Sequence, residues 1–169
     1  MRIAMTIALV ALSSGAATAD VTSHETSMLN NKGQAIGSAL FTGGAKWTTI
    51  RITFKAGSLT PGWHGIHLHA VGDCSDHDKF QASKGHVNHA GTKHGLLNPD
   101  GPDDGDLPNI NAAADGSVNA EVATARPLTG ANGFKDGDGS ALVIHANADD
   151  HTSQPIGGAG DRIACGVVK

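Results

Sequence analysis

Trp63-His64-Gly65-Ile66-His67-Leu68-His69-Ala70 is predicted to form a β-strand with two different faces. Side chains alternate across a strand, so His67 and His69 share one face while Ile66 and Leu68 face a core. A polar segment, residues 71–107, follows this strand and is long enough to carry a function of its own. The stretch therefore predicts a β-fold in which a long loop follows a strand that carries histidines.

Short apolar runs separated by turn residues continue on both sides of this stretch, which is the pattern of an all-β chain. In the run before it, Ile50, Ile52 and Phe54 alternate with polar residues. A second polar segment, residues 147–161, separates the last two runs. We therefore expect an eight-stranded Greek-key β-barrel or sandwich, immunoglobulin-like in architecture, with two long functional loops. The predicted strands are residues 22–29, 34–41, 47–55, 63–70, 108–114, 117–124, 140–146 and 162–168.

The N-terminal residues have the composition of a secretory signal peptide. Arg2 precedes an apolar run at residues 3–12, and small residues ending in Ala17-Thr18-Ala19 follow it. A run of about ten residues is too short for a membrane span, which needs roughly 20. We expect residues 1–19 to be a signal peptide and residues 20–169 to be an exported domain without a membrane anchor.

The charge balance argues against nucleic acid and membrane surfaces as partners. The chain has 12 Lys and Arg against 16 Asp and Glu, a formal net charge of −4, and loss of Arg2 would leave 11 against 16, or −5. An acidic chain without a basic cluster is not expected to bind nucleic acid or a membrane. Tyrosine is absent and aromatic residues make up 4% of the chain, so no platform for stacking single-stranded bases is predicted.

Cys74 and Cys165 are the two cysteines of the chain. In an exported protein an even count predicts a disulfide. This bridge would close a loop of about 90 residues and stabilise the fold by roughly 4–5 kcal/mol in the chain-entropy model. A two-thiol metal site is the rival interpretation, but the CxxC spacing typical of such sites is missing.

Histidines concentrate in and after the predicted strand 63–70. Seven of the ten lie between residues 63 and 106, and a carboxylate-rich segment, residues 100–106, closes this window. Imidazole nitrogens and carboxylate oxygens bind zinc and copper, so the window predicts a metal site. His145, in the predicted strand 140–146, is a candidate third ligand beside His67 and His69.

The order of these residues resembles that of copper/zinc superoxide dismutases of the exported, periplasmic bacterial type. The resemblance covers nearly the whole chain after residue 19, with both cysteines at the family's positions. It implies a Greek-key barrel with the metals held outside it by the two long loops, and superoxide as the substrate. It leaves the oligomeric state open, with a homodimer as one expectation. The matching motifs are His64-Gly65-Ile66-His67-Leu68-His69, Gly85-His86, His94-Gly95, Gly105-Asp106, His145 and Arg162-Ile163-Ala164-Cys165-Gly166-Val167.

The resemblance also implies a role for each of these residues. Arg162 would stand at the mouth of the copper site. Asp149 would hydrogen-bond one copper histidine and one zinc histidine, and so orient both rings. His64 would be a structural residue packed beside the copper ligands. The implied copper ligands are His67, His69, His86 and His145, and the implied zinc ligands are the bridging His86 together with His94 and Asp106.

The chemistry implied by the resemblance is a cycle between Cu(II) and Cu(I). One superoxide would reduce copper and leave as dioxygen. The bridge to His86 would then open, His86 would take a proton, and a second superoxide would become hydrogen peroxide. Arg162 would attract and orient the anion, so its loss would act mainly on the rate of encounter. The expected enzyme is a superoxide dismutase that protects the periplasm, with copper and zinc as cofactors and with His86 and Arg162 as catalytic residues.

The zinc half departs from the family pattern at a single position. The family's third zinc histidine falls where this chain has Asp103. Three interpretations stay open: Asp103 itself binds zinc, His89 takes the place of the missing histidine, or the site binds zinc weakly or stays empty. A second carboxylate, with Asp104 and Asp161 nearby, would also weaken the electrostatic steering of superoxide.

Other function classes compete with the enzyme. A dismutase-like protein that binds or delivers copper, with little activity because of the altered zinc site, is the main alternative. All the copper ligands and Arg162 are present, which favours the enzyme. A structural β-domain leaves the histidines unexplained, and a zinc hydrolase would need an open zinc position beside a general base. The remaining histidines, expected to be solvated loop residues, are His24, His77 and His151.

Overall fold

The computed structural model describes residues 21–169, and the predicted signal peptide lies outside the described residues. Within this range the chain forms nine strands and one 3₁₀ turn, Gln81–Ser83. None of the helical structure in this range is long and apolar enough to cross a membrane. The strands are β1 (Thr22–Asn30), β2 (Ala35–Gly43), β3 (Thr48–Phe54), β4 (Gly62–His64), β5 (Ile66–His69), β6 (Ile110–Ala112), β7 (Val118–Thr124), β8 (Ser140–His145) and β9 (Arg162–Val168).

Two antiparallel sheets enclose one apolar core. Seven strands follow the order β5-β8-β9-β1-β2-β3-β7, and β4 pairs with β6. A tight turn, in which the Gly116 N–H donates to the carbonyl of Ala113, joins β6 to β7 and so connects the small sheet to the edge of the large one. The connections from β3 to β4 and from β7 to β8 pass over intervening strands, which is the Greek-key arrangement. The predicted all-β Greek-key fold is confirmed.

The predicted strand 63–70 is two strands, because the chain changes sheets at Gly65. The Gly65 N–H donates to the carbonyl of Asn147, and the Gly65 carbonyl accepts from the N–H of His145, both at 2.8 Å. A Cβ at position 65 would lie 2.9 Å from the Cβ of Ala159, so glycine allows the second long loop to cross the chain here. The described chain therefore has one strand more than the eight predicted.

The core follows the predicted alternation of side chains. β3 is buried at every second residue, and Ile50, Ile52 and Phe54 point inward. Ile66 and Leu68 of β5 join the same cluster, as predicted. A second, smaller cluster lies on the outer face of β8 and β9, where the first long loop covers it, and consists of Cys74, Phe80, Ala141, Val143 and Cys165.

The predicted disulfide is confirmed. Cys74 and Cys165 are bonded, with their Cα atoms 5.9 Å apart. The bridge ties the first long loop to β9, so the loop that carries His86 and His94 is covalently attached to the barrel.

Candidate metal centre

The first long loop returns to the free edge of β5 at two places. Leu68 accepts a backbone hydrogen bond from one returning segment and donates one to the other, both at 2.9 Å. These contacts pair His69 with His86 and His67 with Asp106 in isolated antiparallel bridges. Groups that are far apart in the sequence therefore lie beside the two histidines of β5.

Backbone carbonyls of the two long loops orient His69 and His145. Nδ1 of His69 donates to the carbonyl of Lys84 at 2.7 Å, and Nδ1 of His145 donates to that of Gly160 at 2.9 Å. Both imidazoles are buried. Because a carbonyl only accepts, the proton of each ring is on Nδ1 and the free lone pair is on Nε2.

Asp149 connects two histidines of the cluster. Its carboxylate accepts from Nε2 of His67 at 2.8 Å and from Nε2 of His94 at 3.2 Å. Asn109 fixes the Asp149 backbone by accepting from its N–H at 2.9 Å and donating to its carbonyl at 2.8 Å. The structure thus places Asp149 between the two rings that the sequence resemblance implied for it.

Six buried imidazole nitrogens are left without a hydrogen-bond partner among residues 21–169, and four of them belong to neighbouring rings: Nδ1 of His67 and Nε2 of His69, His86 and His145. The ring of His67 lies 4.2 Å from that of His86 and 4.8 Å from that of His145, measured between centroids. Burying an unpaired polar atom costs about 1–3 kcal/mol, so free nitrogens that lie side by side favour a shared partner. Ligand atoms of His67, His69 and His145 lie within 4.8 Å of one another, and His86 forms such a group with His67 and His94. A metal ion that favours imidazole provides such a partner.

A second set of ligand atoms adjoins the first. Side-chain atoms of His86, His94, Asp103 and Asp106 all lie within 4.8 Å of one another. Nδ1 of His86 lies 2.9 Å from Oδ2 of Asp103, and Nδ1 of His94 lies 2.5 Å from Oδ1 of Asp106. His86 therefore presents one nitrogen to each set.

The structure separates Asp103 from His89. Asp103 is buried within the second set, whereas His89 lies outside it, with its Nδ1 3.0 Å from Oδ2 of Asp104. Asp104 also pairs with Arg126. The negative charge of Asp104 is thus balanced by the guanidinium of Arg126. Of the two candidate residues, only Asp103 lies within reach of the other three groups.

His67, His69 and His145 are held in the neutral form. Burial lowers the pKa of His67, although the hydrogen bond to Asp149 opposes this shift. Burial and the nearby Arg162 lower the pKa of His69 well below its usual value. Burial and the neighbouring His67 lower the pKa of His145 to about 3. At neutral pH these rings are therefore uncharged, the form in which imidazole binds a metal.

The carboxylate-containing set attracts positive charge. Burial alone would lower the pKa of His94, but its hydrogen bonds to Asp106 and Asp149 outweigh burial and raise that pKa to about 10. Burial opposes ionisation of Asp149, yet the hydrogen bonds from His67 and His94 hold its pKa well below the usual range. A site that favours a cation this strongly is suited to a divalent metal ion.

Arg162 lies at the opening above both sets. Its Nη1 donates to the carbonyl of Phe80 at 2.7 Å and to Oγ of Ser83 at 3.0 Å. The half-buried guanidinium lines a cavity of about 310 Å³ together with His69 and His86. It is therefore the cation placed to meet a small anion that approaches these rings.

The buried His64 has a structural environment. Its Nδ1 lies 2.7 Å from the carbonyl of His145, and its Nε2 lies 2.8 Å from that of Thr60. Each nitrogen faces a backbone carbonyl and neither faces another ligand group, so the ring ties β4 to the end of β8.

Of the remaining histidines, expected to be solvated loop residues rather than ligands, His77 and His151 lie in loops and His24 does not, and all three are half-buried. His24 lies in β1, with Nε2 3.3 Å from the carbonyl of Val167. His77 packs on the β1–β2 turn, and Nδ1 of His151 lies 3.4 Å from Oδ2 of Asp149. None of the three belongs to the potential metal-binding groups of the described chain.

Several groups that orient the site were not identified from the sequence. The carbonyls of Lys84 and Gly160 have no sequence signature, because every residue carries one. Gln154 donates to the His94 carbonyl at 2.7 Å and accepts from the His94 N–H at 3.1 Å. Asn109 and Gln154 are polar residues in or beside the long loops, which is too general a signal to single them out.

Fold and site together define a class: a Greek-key β-protein that holds a metal-binding histidine cluster outside its core. Comparison with known proteins identifies the family. The model of the family described as "Copper/zinc superoxide dismutase (SODC)" matches residues 35–168. The chain belongs to the copper/zinc superoxide dismutase family. The dismutase activity, the superoxide substrate and the copper and zinc cofactors expected from the sequence are those of this family.

Individual relatives agree with this assignment. The chain is 53% identical to "Superoxide dismutase [Cu-Zn]" of Caulobacter vibrioides over 125 residues, which is 71% of each chain. It is 42% identical to "Superoxide dismutase [Cu-Zn] 1" of Aquifex aeolicus over 147 residues, 84% of this chain and 85% of that protein. A solved structure of a SOD-like protein from Bacillus subtilis superposes with a TM-score of 0.80 at 34% identity, covering 86% of this chain and 98% of that one.

Proposed function

We propose that this chain is an exported, periplasmic copper/zinc superoxide dismutase in which four histidines hold copper. The observation that carries the assignment is that four of the buried imidazole nitrogens without a partner in the described chain belong to neighbouring rings. The same four rings are fixed through their other nitrogens, as metal-binding histidines generally are. The proposed copper ligands are His67, His69, His86 and His145.

Zinc is assigned to the adjoining set, with His86 shared between the two metals. Support comes from the two nitrogens of His86, since Nε2 is free while Nδ1 lies 2.9 Å from Asp103. Two imidazoles and two carboxylates form an acceptable tetrahedral donor set for zinc. The proposed zinc ligands are His86, His94, Asp103 and Asp106.

Bound copper supplies a one-electron redox centre that imidazole nitrogens support in both oxidation states. In the overall reaction, two superoxide anions and two protons give one dioxygen and one hydrogen peroxide. The guanidinium of Arg162 attracts and orients the anion at the cavity opening. Nε2 of His86 would hold a proton when it is not bound to copper and would pass it to the substrate oxygen, while Nδ1 keeps the ring in place beside Asp103. Asp149 fixes the orientation of the His67 and His94 rings through its two hydrogen bonds.

Replacing Arg162 by alanine should lower kcat/KM for superoxide about tenfold at low ionic strength, because the cation at the cavity opening is lost. The measurement is kcat/KM against salt concentration, by pulse radiolysis. The variant should also have a flatter salt dependence. Arg51→Ala is the matched control, since Arg51 is exposed and paired with Glu121. If Arg162→Ala keeps the wild-type kcat/KM and the wild-type salt dependence, Arg162 does not attract superoxide to the site.

Asp103→His should raise kcat/KM at low salt and make it fall more steeply as salt is added, because a carboxylate is replaced by a neutral ligand near the anion's path. We expect an effect of about two- to fivefold. Asp100→His is the control, since Asp100 is an exposed loop carboxylate paired with Lys93. If wild type and Asp103→His have the same dependence of kcat/KM on salt, Asp103 does not weaken the electrostatic steering of superoxide.

Export to the periplasm is proposed from the N-terminal sequence, with residues 1–19 removed and residues 20–169 forming the mature domain. Two features support this proposal: the apolar run that follows Arg2, and the small residues Ala17-Thr18-Ala19 at the expected cleavage site. The mature chain is proposed to act without nucleic acid or membrane, and a homodimer remains an expectation for light scattering to check. N-terminal sequencing of the periplasmic fraction should begin at Asp20.

Metal analysis on periplasmically expressed protein, with dismutase activity on the same sample, tests the whole assignment. One copper and one zinc per chain with activity is the expected result. Activity with copper alone would overturn the zinc assignment. Copper without activity would favour the alternative, a protein that binds or delivers copper. No contact in the described chain supports that alternative over the enzyme.

A further inference from the structure

We propose that Asn31, in the turn between β1 and β2, is a positioning residue that sets Arg162 at the opening of the copper site. The inference depends on the role proposed above for Arg162 and assigns to it a partner remote in sequence. In the described chain the Asn31 side chain hydrogen-bonds to none of the proposed metal ligands, so its effect on the reaction is expected to pass through Arg162.

The Asn31 amide joins three segments of the chain. Its Nδ2 donates to the carbonyl of Arg162 at 3.0 Å, to that of His77 at 3.0 Å and to that of Asp78 at 3.2 Å. An amide nitrogen has two hydrogens, so one of them is shared between carbonyls. The contacts fix the first residue of β9 and the first long loop to the same side chain.

The turn itself does not need the Asn31 side chain. Oδ1 of Asn30 accepts from the N–H groups of Lys32 and Gln34 at 2.9 and 3.0 Å, which closes the turn locally. The amide of Asn31 is thus available for contacts outside the turn.

The turn is also packed against the loop at a second point. Gly33 has φ of +70°, and a Cβ at this position would lie 2.9 Å from Cδ2 of His77. The bare backbone of Gly33 lets the His77 ring rest on the turn. The loop segment that Asn31 binds is therefore held against the turn at two points, Asn31 and Gly33.

These contacts act on both ends of Arg162. Asn31 holds the Arg162 carbonyl directly. The residues it holds in the loop lead into Phe80 and Ser83, which accept from the Arg162 guanidinium. Asn31 and Arg162 both line a cavity of about 580 Å³ that reaches His145. Without the amide, one of the contacts that fix the backbone of Arg162 relative to the acceptors of its guanidinium is lost.

The test uses full-length, copper-loaded protein. Asn31→Ala should lower kcat/KM about three- to tenfold and weaken the binding of azide, measured from the visible absorption of copper, with copper content unchanged. Asn31→Asp keeps the shape of the side chain but removes its N–H groups, so it should behave in the same way and serves if the alanine variant does not fold. Asn30→Ala, which loosens the turn alone, should leave azide affinity at the wild-type value.

A double-mutant cycle decides whether the effect passes through Arg162. In an Arg162→Ala background, Asn31→Ala should produce no further loss of kcat/KM or azide affinity. An equal loss in both backgrounds, or wild-type azide affinity in both Asn31 variants, would overturn the inference. If Arg162→Ala itself leaves kcat/KM unchanged, the role proposed for Arg162 fails first, and the positioning role fails with it.

Discussion

Replacement of His145 by alanine is expected to prevent stable copper binding and to lower kcat/KM more than about 100-fold, a larger loss than removal of an outer hydrogen-bond partner causes. His145 supplies one of the four free nitrogens, and its ring is aimed by the carbonyl of Gly160 at 2.9 Å. Three remaining imidazoles leave copper with an incomplete donor set. The measurements are copper per chain by mass spectrometry and dismutation rate on the same sample.

His24→Ala is the matched control for this variant. His24 is also a strand histidine, although half-buried, and its ring contacts a backbone carbonyl and Lys135 rather than another ligand group. It should keep wild-type copper content and activity. A His145→Ala variant that retains one copper per chain at the wild-type rate would remove His145 from the copper site and leave its free nitrogen unexplained.

The strand that presents His67 and His69 was predictable because side-chain alternation depends on local geometry alone. Ile66 and Leu68 belong to the core, so the intervening histidines must face outward. The same reasoning applies to β3, which is buried at every second residue. Strand positions elsewhere agree with the sequence to within a few residues, since turn residues mark their ends.

The division of one predicted strand at Gly65 was not predictable from periodicity. It results from a crossing of the second long loop, whose carbonyl at Asn147 accepts from the Gly65 N–H. The orientation of His69 and His145 was equally inaccessible, because the carbonyls that fix them belong to loops without a regular pattern. Non-local contacts of this kind have to be seen in the folded chain.

The choice between Asp103 and His89 as the zinc ligand was not predictable from the sequence. Both residues are acceptable zinc ligands by type, and only the path of the loop separates them. In the structure His89 bonds to Asp104, and Asp104 is held by Arg126, two residues after the end of β7. That pairing turns His89 away from the cluster and leaves Asp103 with the buried ligand groups.

Removal of the disulfide should have the largest effect on stability. The double variant Cys74→Ala, Cys165→Ala is expected to lower the free energy of unfolding by about 4–5 kcal/mol, because the bridge spans 91 residues and restricts the unfolded chain. Both sulfurs also lie in the apolar cluster under the first long loop, so their loss adds a packing cost. Urea unfolding of the metal-free protein, followed by circular dichroism, gives the difference.

Reduced wild-type protein is the control for the packing cost, since it keeps both sulfurs and loses only the bond. It should lose nearly as much stability as the double variant. The folded double variant should still bind copper, because the loop stays docked on β5 through the backbone hydrogen bonds of Leu68. A loss below about 1 kcal/mol would mean that the unfolded chain gains little freedom without the bridge, contrary to the chain-entropy argument. Loss of copper from a folded variant would instead mean that the bridge, and not the backbone contacts to β5, holds His86 beside His69.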